Sequence, residues 1–60
     1  MELKQVRIEK KMNQTEVAKH LGITQNAYSQ IENGKRGLSV DFAKILGKLF
    51  DVDWWLFYEN

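Results

Sequence analysis

Gly22 is the residue that most restricts what this chain can become. It closes an apolar stripe made by Val17, Ala18 and Leu21, and only Ile23 separates it from Thr24, a good cap for a following helix. Two short helices joined by so tight a glycine turn are forced to cross steeply. The crossing needs a small side chain where the backbones approach, and Ala18 is placed to supply it.

The helix predicted after the turn begins behind Thr24 and stops at Gly34, with no proline or glycine between them. Stepped round at about 100° per residue, it separates into two arcs. Ala27, Tyr28 and Ile31 share a narrow apolar one. Gln25, Asn26, Ser29, Gln30 and Asn33 form a polar one that carries no charge. A solvated helix face normally holds Glu and Lys, whereas Asn and Ser are poor helix formers. Glutamine and asparagine carry a donor and an acceptor side by side, the pattern that matches the N6/N7 edge of adenine in a major groove. The arc is therefore expected to read base pairs.

The rest of the chain is also helical in pattern. A first helix is expected over residues 2–11, with Leu3 and Val6 inward and Arg7 uncomfortably beside them. Asn13 starts a second helix, with Glu16 where a capping-box acid belongs. Lys35 and Arg36 form a basic loop, and Ser39 caps a fourth helix over residues 40–50. On that helix Val40, Ala43, Leu46, Gly47 and Phe50 make one apolar face, and Phe42, Ile45 and Leu49 a second beside it. The combined arc of roughly 220° is about twice what a helix on a small core needs. Asp51 or Asp53 breaks the chain, and Trp54-Trp55-Leu56-Phe57-Tyr58 forms a last aromatic turn. The expectation is one all-α domain over residues 1–60, a compact bundle of five short helices whose second and third form a helix-turn-helix.

Composition narrows the function. Sixty residues that are 43% hydrophobic support one modest core. There is no cysteine and only one histidine, so neither a disulfide nor a zinc site is expected, and no other metal or cofactor. His20 is expected at the surface, near a helix C-terminus. No apolar run approaches the ~20 residues of a membrane span and no signal peptide is visible, so a cytoplasmic protein is expected. Net charge is only +1, but residues 1–36 hold seven Lys/Arg against four acids while residues 37–60 hold two against four. The basic half contains the amide-faced helix, which suits an approach to phosphates. Nothing supplies an oriented nucleophile or a phosphate-cradling loop, so an enzyme is not expected.

The residues from Gln14 to Asn33 resemble the helix-turn-helix of the Cro/repressor-type, Xre-like regulators of bacteria and phages. Gln-Thr-Glu-Val-Ala opens the second helix, Leu21-Gly22-Ile23-Thr24 makes the turn, and Gln30-Ile31-Glu32-Asn33-Gly34-Lys35 is close to the family's signature ending. The resemblance implies that Gln14 donates to a phosphate and that Thr24, Gln25, Asn26, Ser29 and Gln30 face the groove, with Gln25 the foremost base reader. It implies phosphate contacts from Asn33, Lys35 and Arg36. It also implies that Arg7 and Glu32 pair inside the protein, as in lambdoid-phage members, where otherwise they would be two surface charges. Leu38 stands where a proline is common, Asp51 where a glycine is common, and the paired tryptophans Trp54 and Trp55 are unusual.

The combined reading is a sequence-specific double-stranded DNA binder, a small transcriptional regulator that represses by occupying promoter DNA. Phe42, Ile45, Leu49, Trp55 and Tyr58 are expected to form a homodimer interface, since two copies double the sequence read. Two other uses of that surface compete: completing the domain's own core, or docking a domain missing from this chain. With no room for a ligand-sensing domain, regulation falls to concentration, proteolysis or a protein partner such as a toxin. The alternative function is a helical protein-interaction module that works through the fourth helix and the aromatic tail.

Overall fold

A computed structural model describes residues 2–59. Among them are four α-helices, α1 (Leu3–Glu9), α2 (Gln14–Leu21), α3 (Gln25–Glu32) and α4 (Val40–Phe50), followed by a 3₁₀ turn (Trp54–Tyr58). Three of the four α-helices start on a side-chain cap. Asn13 Oδ1 accepts from the Glu16 amide at 2.8 Å and Glu16 Oε1 accepts from the Asn13 amide at 3.2 Å, a complete capping box. Thr24 Oγ1 accepts from the Ala27 amide at 3.1 Å, and Ser39 Oγ from the Phe42 amide at 3.2 Å. Gly22 turns left-handed at φ 70°, where a Cβ would be strained, and lets the Ile23 amide reach back to the Ala18 carbonyl at 3.1 Å.

α2 and α3 pack against each other, and Ala18 on α2 is buried, 2% exposed. Around it Val6, Val17, Leu21, Tyr28, Leu46 and Phe50 form one buried cluster drawn from all four α-helices. Leu3, Met12, Ile23, Leu38, Phe42, Leu49, Val52 and Phe57 pack against its edges. Removing this much apolar surface from water is what holds α2 and α3 at a fixed angle, since eight-residue helices are not stable alone in water.

Three expectations need correction. The first helix ends at Glu9, because Lys11 turns left-handed at φ 58° and the Met12 amide bonds back to the Arg7 carbonyl at 3.2 Å. The fifth helix is a 3₁₀ turn, tied by the Leu56 amide to the Asp53 carbonyl at 3.0 Å. Val40 is 47% exposed, since the first turn of α4 runs out beyond the core. Asp51, in the position where a glycine is common, takes the glycine conformation at φ 57°, a region that Asp tolerates better than most side chains.

Candidate nucleic-acid interface

The polar arc of α3 lies outward as its spacing requires. Thr24, Gln25, Asn26, Asn33, Lys35 and Arg36 are exposed, while Gln14, Ser29 and Gln30 are half-buried. Asn33 is the C-cap of α3, and Gly34 at φ 75° turns the chain away from it into the basic loop. There Arg36 Nε donates to Gln30 Oε1 at 3.3 Å, which brings the loop cation against the end of the helix.

The last residue of α3, Glu32, is joined to the interior. Arg7 Nε donates to Glu32 Oε2 at 2.6 Å, and its two terminal nitrogens reach Glu32 Oε1 at 3.4 Å and the Met12 carbonyl at 2.8 Å. The Glu32 side chain is only 1% exposed and that of Arg7 11%. Gln14 Nε2 donates to Glu32 Oε1 at 3.1 Å, and Gln25 Nε2 donates to Gln14 Oε1 at 3.0 Å. Four side chains from α1, α2 and α3 thus form one line from a buried ion pair to the exposed first turn of α3.

The charges follow from this packing. Burial alone would push the Glu32 carboxyl up, but the Arg7 guanidinium and the Gln14 amide that donate to it hold it below the ordinary carboxylate value. The hydrogen bond to Glu32 raises Arg7 in turn, against the opposing effect of its own desolvation. Tyr28 is fully buried and burial pushes its hydroxyl well above the ordinary range, with the neighbouring Glu32 charge adding to the effect. No group among the described residues hydrogen-bonds that hydroxyl. Desolvation keeps it neutral.

The side chains expected at a dimer interface divide into two groups. Phe42 and Leu49 pack partly against the core, while Ile45, Trp55 and Tyr58 are 40%, 52% and 49% exposed. Tyr58 donates its hydroxyl to the Leu38 carbonyl at 2.7 Å, which ties the tail to the loop after α3. Trp54 stands edge-on to Trp55 and to Tyr58, and Lys44 Nζ lies 5.6 Å over its ring. Residue spacing foretold neither the Gln14–Glu32 contact, 18 residues apart, nor the Met12 carbonyl under Arg7. Only the placement of Arg7 beside an apolar face hinted at the latter. No helix among the described residues is long and apolar enough to cross a membrane.

Comparison with known proteins gives two kinds of match. A family model described as helix-turn-helix matches residues 3–54. An uncharacterised HTH-type transcriptional regulator of Bacillus subtilis, YqaF, is 43% identical over 58 residues, 97% of this chain and 76% of that protein. Virulence-associated protein A' of Dichelobacter nodosus is 48% identical over 48 residues, 75% of this chain and 42% of that protein. No solved structure matches.

Proposed function

The chain belongs to the helix-turn-helix family, as a DNA-binding transcriptional regulator of the Xre/Cro type, and on that footing we propose that α3 reads the major groove of an operator which two copies occupy together, repressing transcription. The observation that carries this reading is the placement of Gln25. It stands exposed in the first turn of α3 with its amide held by Gln14, as a base reader must be held before it meets the groove.

Contacts then divide by kind. Gln14, Asn33, Lys35 and Arg36 fix the register on phosphates, while Gln25, with Thr24, Asn26, Ser29 and Gln30 beside it, specifies sequence. A selection from random duplexes is expected to enrich a two-fold symmetric site with half-sites about one helical turn apart. Gln25→Ala should cost roughly 1–3 kcal/mol against the preferred base and relax preference at one position per half-site. An unchanged preferred site would remove Gln25 from base reading.

Pairing of two copies is supported by Ile45, Trp55 and Tyr58, three of the five large apolar side chains that the core leaves exposed among the described residues. Ile45 is the informative position, because Phe42 and Leu49 are partly engaged within one copy. Ile45→Lys is expected to leave the helical circular dichroism intact while sedimentation shows a monomer. A wild type that stays monomeric at high concentration would exclude the dimer.

A further inference from the structure

Resting on the reading of Gln25 as a base-contacting residue, we infer that Glu32, buried behind the interface, sets through Gln14 which face of the Gln25 amide the DNA meets. Glu32 is therefore a positioning residue for base choice as well as half of an ion pair.

The argument is one of hydrogen-bond polarity. Arg7 has only donors, so the Glu32 carboxylate beside it stays ionised and has only acceptors. Gln14 must turn its NH2 group towards that carboxylate, because its carbonyl there would set oxygen against oxygen. The Gln14 carbonyl then faces Gln25, which must likewise offer its NH2. Each step is forced by the one before it. Gln25 is left with one free N–H and a free carbonyl oxygen, the pair that adenine matches with N7 and N6–H2. Guanine presents two acceptors instead, N7 and O6. To suit it, Gln25 would have to turn its NH2 wholly outward, and Gln14 would have to turn with it, its carbonyl against Glu32. The buried charge therefore counts against guanine at a base pair it never touches. One N–H of Gln14 remains free for a phosphate, so positioning and backbone contact are compatible.

The test uses the best duplex from the selection and its partner with A·T replaced by G·C at the position whose preference Gln25→Ala removes. Wild type is expected to favour adenine by about 5- to 150-fold. Gln14→Met keeps the length of the side chain and leaves the Arg7–Glu32 pair alone, so folding should persist, checked by circular dichroism. It should weaken both duplexes and bring the adenine-to-guanine ratio near one. Glu32→Gln, which lets the amides reverse, should lower the same ratio even where overall affinity also drops. A Gln14 that only grips a phosphate would weaken both duplexes alike and leave the ratio at its wild-type value. That result, with Gln25→Ala still erasing the preference, overturns the positioning role alone. If Gln25→Ala leaves the preference in place, or no duplex is enriched, the base-reading assignment falls as well.

Discussion

Glu32→Ala is expected to lower the free energy of unfolding by roughly 3–5 kcal/mol, read from urea denaturation at neutral pH. The variant loses more than a contact. It leaves the Arg7 guanidinium, 11% exposed, with only the Met12 carbonyl for a strong partner, and takes from Gln14 the acceptor that holds it. A chain of sixty residues has a total stability of roughly 3–9 kcal/mol at the usual 0.05–0.15 per residue. The loss is comparable with the whole, so much of the variant should be unfolded at 25 °C. Replacing both partners, Arg7→Met with Glu32→Leu, should recover most of the stability, because no charge is then left buried. A Glu32→Ala protein within about 0.5 kcal/mol of wild type would mean that the pair is solvated in water, whatever its geometry.

The same pair predicts a pH dependence with a definite sign. Glu32 is held below its unfolded value, near 4.5, so its ionised form is favoured by folding. The stability it contributes is therefore present above about pH 4.5 and is lost as pH falls through the lower folded value. Glu32→Gln removes the titrating group. Its acid limb should accordingly be flatter than that of wild type, from a lower starting stability.

Local chemistry made the helix starts and the central turn legible. A cap acts over three residues and a left-handed glycine over five, so Asn13, Gly22, Thr24 and Ser39 carry their own instructions. The end of α1 was harder to read, because Lys11 takes a backbone conformation that its identity does not announce. The wheel of α4 failed at Val40 because a periodicity cannot show where a core stops. Much the same division holds for the candidate interface. Its uncharged polar face follows from residue type and spacing. The line from Arg7 through Glu32 and Gln14 to Gln25 joins three helices, and α-helical periodicity holds no information about such a connection.

Gly47 tests whether tertiary contact overrides local preference. In a helix interior, alanine is more favourable than glycine by about 0.8–1 kcal/mol, so Gly47→Ala in isolation should stabilise α4. In the folded chain a Cβ at this position would stand 2.9 Å from the Val52 carbonyl oxygen, 3.0 Å from Trp54 Cβ and 3.2 Å from Trp54 Cα. Two of these three atoms are backbone, and the third is fixed directly to it, so no rotamer change relieves the contact. The stretch from Val52 to Trp54 has to lift away. Doing so strains the bond from the Val52 amide to the Gly47 carbonyl, 2.9 Å long, and disturbs the stacking of Lys44 on Trp54. Overpacking of this kind costs about 1–3 kcal/mol, and the lost tail contacts add to it. The expected net effect is a destabilisation of roughly 1–3 kcal/mol, opposite in sign to the helix preference, with a rise in tryptophan solvent exposure read by fluorescence. A stabilised Gly47→Ala protein would show that the aromatic turn does not rest on α4 in solution, and the exposed set of Ile45, Trp55 and Tyr58 would then need redrawing.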